Sequence, residues 1–218
     1  MRVARLASTP VKSLAVHTPT FIDLTAGGVK GDRLFYLVDE AGEIVNSTAV
    51  GDLLRYRAEF DVASAVLAVY GPEGLVASGE VEDGASLETS FYGLRSVAGH
   101  VVVGWDEVFT EIASTPVRLV RGTTGGFDVA GVTLLGSSAL EALAASSNAE
   151  QVDPRRFRMN IEISGSDVLS EDSWEGRDLR VGSAVVAVGG PVKRCVTTTR
   201  DPAGIDGCSL VSPRTWVS

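Results

Sequence analysis

The sequence predicts a mainly β fold with few short helices, on three observations. Its apolar runs are short, rich in β-branched and aromatic residues, and bounded by Gly, Pro, Asp or Ser. The 24 glycines follow no fixed period, which implies many turns and excludes a solenoid or collagen-like repeat. Only residues 137–146 combine helical apolar spacing with a helix-start signal. At 218 residues and 44% hydrophobic content, the chain can bury a full core as one domain or two closely packed halves.

The elements follow in order. Residues 1–6 alternate charge with apolar residues and lack the apolar stretch of a secretory signal, so a first strand is read over 3–7. Strands are expected at 21–24, 34–38, 58–62, 66–70 and 117–120, with one helical turn over 50–55 despite Gly51. This half reads as a barrel or curled sheet. Residues 122–126, with three glycines, mark a boundary, either a flexible joint or backbone open to a ligand. In the helix over 137–146, Ser137 or Ser138 is the expected N-cap, and Leu140, Leu143 and Ala144 share a face. Beyond it come a charged turn at 153–156, a strand over 157–164, a turn at 171–176 and a strand pair over 179–188 broken at Gly182 and Ser183. Two domains result, 1–121 and 122–218.

Charge and composition exclude whole classes of function. A net charge of −9 and a pI near 4.7 repel a phosphate backbone, so nucleic acid is not an expected partner. Apolar stretches around 101–103 and 184–188 fall far below the ~20 residues that span a bilayer, so no membrane is expected. Two cysteines cannot form a disulfide framework, and two histidines in unrelated segments complete no zinc site. A reducing, cytoplasmic location is the expectation.

In so acidic a chain, local cations are informative. In Pro191-Val192-Lys193-Arg194-Cys195-Val196-Thr197-Thr198-Thr199 a thiol follows two cations, which stabilise the thiolate that ligates soft metals or attacks electrophiles. By spacing alone, a packed thiol or an exposed Cys on a basic loop fits as well. Pro10-Val11-Lys12-Ser13-Leu14 and Gly31-Asp32-Arg33 each place a cation where strand meets loop, suiting an oxyanion or a solvated ion pair equally. If 157–164 is extended throughout, Arg156, Arg158 and Asn160 share one face and point at one polar ligand, or form the solvent face of an edge strand. Adjacent Glu171 and Asp172 read as a turn rather than an acid/base pair.

Taken in order, these segments resemble the MOSC (molybdenum cofactor sulfurase C-terminal) domain preceded by its N-terminal β-barrel domain, as in the amidoxime-reducing component and its bacterial relatives. The resemblance runs from Leu6 to about Gly207 and includes Phe157-Arg158, Asn160-Ile161, Ile163-Ser164-Gly165, Glu171-Asp172-Ser173-Trp174, and Arg194-Cys195 followed by Asp201-Pro202. It implies a β-barrel MOSC domain packed on a smaller barrel-like domain. It implies a molybdenum cofactor (Mo-molybdopterin), with Cys195 as metal ligand and catalytic centre. Lys12, Ser13, Arg33, Arg158, Asn160 and Arg194 would hold the pterin and its phosphate, Asp128 would contact the cofactor, and Lys193 would add an anion contact. Val129 and Ala130 stand where the reductase branch has small hydroxyl residues, and the family's further C-terminal strand is missing, with 207–211 a partial substitute. The implied activity is reduction of N-hydroxylated small molecules, amidoximes or hydroxylamino bases. Electrons would come from a separate donor protein, since the four cysteines of a fused ferredoxin are lacking. Rival readings are a cofactor-binding or sulfur-carrier module acting through a Cys195 persulfide, and a relative that keeps the fold without metal. Because the implied ligands fall on both sides of residue 121, the site is expected between the two halves.

Overall fold

The computed structural model describes residues 1–93 and 95–203; the expectations for Cys208 and for 207–211 lie outside the described residues. Among the described residues the fold is mainly β, 37% strand with two α-helices. The strands are β1 (Arg2–Leu6), β2 (Leu24–Thr25), β3 (Gly28–Val29), β4 (Phe35–Val38), β5 (Ile44–Val45), β6 (Arg57–Asp61), β7 (Val66–Gly71), β8 (Gly74–Glu80), β9 (Asp83–Phe91), β10 (Arg95–Val102), β11 (Arg118–Gly122), β12 (Leu134–Gly136), β13 (Ile161–Ser164), β14 (Asp178–Val181) and β15 (Ala184–Ala187). The helices are α1 (Asp106–Ala113) and α2 (Ser137–Ser147). Among the described residues no helix is long and apolar enough to cross a membrane.

The central sheet has the order β5-β4-β11-β10-β9, antiparallel throughout. An isolated bridge between Glu43 and Ser90 ties its two edges and curls it. The unbroken apolar run of β4 follows from this curl, because both strand faces are buried. Phe35 and Leu37 enter a core shared with β6, β7 and α1, while Tyr36 and Val38 pack inside the curl on Phe91, Val97 and Val120. A second sheet, β1-β13-β12, joins the first strand of the chain to a late one, and α2 packs beside it. The backbones of Gly28 in β3 and Gly131 nearly touch: a Cβ on Gly28 would lie 2.4 Å from the Gly131 carbonyl oxygen, and Gly28 has φ +116°. Only glycine permits both the approach and the conformation.

Several expectations are corrected. Of the strand expected over 21–24 only Leu24 is strand, in Leu24–Thr25 paired to Gly28–Val29. Residues 157–164 are not one strand: Pro154–Phe157 is a 3-10 turn capped by Asp153, Arg158 is left-handed (φ 56°), and the strand starts at Ile161. Arg156, Arg158 and Asn160 therefore share no strand face. The α2 N-cap is Gly136, whose N–H donates to Glu171 Oε1 (3.0 Å), because the Ser137 and Ser138 hydroxyls are engaged by Glu162 and the Asp167 carbonyl. The turn expected at 171–176 begins as a 3-10 turn, Ser170–Trp174. The strand pair at Gly182 and Ser183 and the turn at Gly51–Arg55 are as expected. Helix α1 was not expected, although Asp106 and Glu107 in its first turn and the buried Phe109, Ile112 and Ala113 form an ordinary amphipathic signal.

Candidate functional site

A cavity of about 660 Å³ opens where the loop after β1, the turn before β4, the β5 and β9 ends and the Cys195 segment meet. Residues 9–14 cross from one sheet to the other, Ala7 bonding to the Asn160 carbonyl and Lys12 to that of Phe35. This crossing turns the Lys12 and Ser13 side chains inward, with Lys12 only 5% exposed. Arg33 is fixed by an ion pair with Asp32 and by donation to the Arg158 carbonyl (2.7 Å). Asp32 in turn accepts from Thr9 N–H (2.8 Å) and from the Asn160 amide (3.0 Å). Arg158 donates to the Leu14 carbonyl (2.7 Å), closing a ring of contacts between segments far apart in sequence.

On the facing side, Arg95 is sandwiched by the Phe91 and Phe127 rings and bonds to the Phe127 carbonyl, which ties the loop carrying Asp128 to β9 and β10. Asp128, half-exposed, accepts from Lys12 Nζ at 2.6 Å. Cys195 is a free, exposed thiol in extended backbone, and its carbonyl receives the Thr198 N–H and hydroxyl. Arg194 stacks over Phe157, 5.0 Å from the ring centroid.

Electrostatically the cavity contrasts with the rest of the molecule. Lys12, Arg33, Arg156, Arg158, Lys193 and Arg194 line it against one carboxylate, Asp128, in a chain of net charge −9. Burial pushes the Lys12 ammonium down to about 8, opposed by Asp128, with Arg33 and Arg158 adding to the depression. Burial likewise lowers Arg158 to about 9, helped by Arg33 and opposed by Asp32, Asp128 and Cys195. Burial lowers Arg194 too, against the pull of Glu171 and Asp172. Such crowding of partly desolvated cations is costly without an anion and favours binding one. Backbone strain gathers here as well: Ser13, Arg33, Tyr92 and Arg158 are cavity-lining non-glycine residues with positive φ, a conformation that persists only when the surroundings impose it.

Of the residues singled out in the sequence, Lys12, Ser13, Arg33, Asp128, Arg158, Lys193, Arg194 and Cys195 line this cavity. Asn160 does not; it is 1% exposed and its amide bonds to Thr133, the Ala7 carbonyl and Asp32, supporting Arg33 from behind. Arg156 lines the wall as part of its 3-10 turn. Asn46, Thr48, Tyr92 and Phe127 complete the wall without having been anticipated; the polar Asn46-Ser47-Thr48 run after β5 was the one available signal. Among the described residues no three His, Cys, Asp or Glu side chains cluster as a metal site.

Comparison with protein-family models matches residues 122–214 to the family described as the MOSC domain. Over that stretch, less than half of its length, the chain is similar to the MOSC domain. The match includes Asp128, Arg158, Lys193, Arg194 and Cys195, whereas Lys12, Ser13 and Arg33 come from outside it. The chain is 26% identical over 225 residues to a protein of Oryza sativa subsp. japonica named molybdenum cofactor sulfurase. That alignment covers 85% of this chain and 27% of the rice protein, so the chain spans about a quarter of its relative's length. The solution structure of a Bordetella bronchiseptica protein superposes with a TM-score of 0.40 at 14% identity, covering 56% of this chain and 92% of that one, a likeness too slight to bear on function.

Proposed function

We propose that the cavity holds the molybdenum cofactor, with the Cys195 thiolate as the protein's ligand to the metal. Lys12, Ser13, Arg33, Arg158, Lys193 and Arg194 would surround the pterin and its phosphate, with Asp128 as a further contact and Asn160 holding Asp32 and Arg33 in place. The observation that carries this reading is the convergence of one accessible thiol and six basic side chains on a single cavity of an acidic protein. The donor set fits the group, since a thiolate is a soft ligand and fixed guanidinium groups bind phosphate bidentately. The MOSC match and the rice relative support it.

The activity we infer is reduction of N-hydroxylated compounds, amidoximes or hydroxylamino bases, with electrons from a separate donor protein. When bound, the cofactor supplies the two-electron chemistry that removes oxygen from an N–O group. The chain's own residues bind and orient: the cations anchor the phosphate, while Tyr92, Phe127, Val129 and Ala130 offer an apolar wall to the organic body of the substrate. Molybdenum and pterin per chain, in protein expressed where the cofactor is made, tests the site. Cys195→Ser is expected to remove one sulfur neighbour of the metal in X-ray absorption with the fold intact; an unchanged sulfur count refutes the ligand assignment. Reduction of benzamidoxime with an artificial electron donor tests the activity.

The rice protein's name favours a second reading, in which the chain carries sulfur as a Cys195 persulfide without reductase turnover. Protein that binds molybdenum, reduces no N-hydroxylated compound and releases sulfide from Cys195 on treatment with dithiothreitol would select it.

A further inference from the structure

The turn that follows Cys195, Val196–Thr199, is gripped from two sides. Arg156 Nη1 donates to the carbonyls of Thr199 (3.2 Å) and Arg200 (2.5 Å), and Asp201 faces the same guanidinium at 3.9 Å. From the opposite side, Thr48 bonds through its hydroxyl to that of Thr197 (3.0 Å), and its carbonyl accepts from Arg200 Nη2 (2.7 Å). Thr48 is separated from Arg200 by 152 positions, so this second grip reaches the Cys195 segment from the region before the MOSC match.

Gly51 explains how Arg200 fits. Its backbone does not lie in the left-handed region, so conformation alone does not demand glycine. A Cβ placed there would, however, lie 2.5 Å from Arg200 Nη1. The obstacle is the end of a side chain, so a larger residue would displace Arg200 and spare the backbone.

We infer that Arg200, Thr48 and Gly51 form a clasp that positions Cys195 in the cavity, Gly51 acting by leaving room for the guanidinium. They are positioning residues: Arg200 and Gly51 do not line the cavity, and Thr48 works through Thr197. The functional half of this inference rests on the cofactor site proposed above.

The test uses the full chain in two arms. The first needs no cofactor and follows hydrogen exchange of the 195–200 amides together with the melting temperature. Gly51→Ala and Arg200→Ala are each expected to speed exchange there about three- to tenfold, the worth of one lost hydrogen bond, with global melting little changed. Gly51→Ala added to Arg200→Ala should have no further effect on that exchange. Unchanged exchange, or effects of the two substitutions that simply multiply, overturns the clasp. The second arm measures molybdenum retained through gel filtration by cofactor-loaded protein. Retention should fall in both single variants and recover in Arg200→Lys, which can still donate to the Thr48 carbonyl. Faster exchange with unaltered retention overturns the positioning role, whereas wild-type protein that takes up no molybdenum refutes the cofactor site and leaves the first arm to judge the clasp.

Discussion

Lys12 shows what the site costs the protein. Its ammonium is buried, and moving it from 10.5 to about 8 corresponds to about 3 kcal/mol against the charged form at neutral pH. Since the folded value lies below the unfolded one, protonated Lys12 costs stability below pH 8, and the cost is relieved as pH rises towards 10.5. Lys12→Met is therefore expected to raise urea resistance by about 1–3 kcal/mol, as replacing buried ions by apolar groups commonly does. Half-exposed Asp128 can return to water. A lower urea midpoint for this variant would contradict the account. Ligand binding has the opposite sign: affinity for pyrophosphate, a stand-in for the cofactor's phosphate, should weaken as pH climbs through about 8, and Lys12→Arg should abolish that fall. Titration calorimetry on both sides of that pH decides it. Arg158→Ala should lose about 1.5–3 kcal/mol of cofactor binding, the value of a charge-assisted hydrogen bond, whereas Arg177→Ala, outside the cavity, should lose none. Equal pterin content in the two purified variants would count against this.

Among the elements, legibility followed charge and periodicity and failed where tertiary contacts decide the backbone. Lys12, Arg33, Arg194 and Cys195 stood out because cations at strand ends are conspicuous in an acidic chain. Arg158 was noticed for a face it does not share: donation from Arg33 to its carbonyl and its own bond to Leu14 hold it left-handed, which no local pattern announces. Tyr92 and Asn46 carry no motif and reach the wall because the Glu43–Ser90 bridge curls the central sheet, bringing Asn46 Nδ2 to 2.9 Å from the Tyr92 hydroxyl. Asn160 was read as a ligand, yet its amide works between strands, tying Ala7, Thr133 and Asp32. Asn160→Ala leaves Asp32 and the Ala7 carbonyl short of a buried partner, and about 1–3 kcal/mol of stability should go with it in urea unfolding. Phe109→Ala should cost about 3–5 kcal/mol through the cavity left between α1 and β11.

For the whole molecule, we propose a division into residues 1–121 and 122–218, with β1 crossing it to pair with β13 and the cofactor between the two parts. Lys12, Ser13 and Arg33 then come from one domain, and Asp128, Arg158, Arg194 and Cys195 from the other. Fragments 1–121 and 122–218 expressed together should copurify and hold the cofactor, and 122–218 alone should not; a C-terminal fragment that binds the cofactor unaided would refute the shared site. The pairing of β1 with β13 also sets a schedule for synthesis. Arg5 and Glu162, joined across that ladder, are 157 positions apart. At ~5–20 residues per second, a ribosome leaves β1 without its partner strand for roughly 8–30 s. The Lys12 loop hangs directly from β1, so the anion cradle closes only after β13 has emerged. Loading of the proposed cofactor would then be a late event, open to competition from chaperones and proteases that capture the waiting strand.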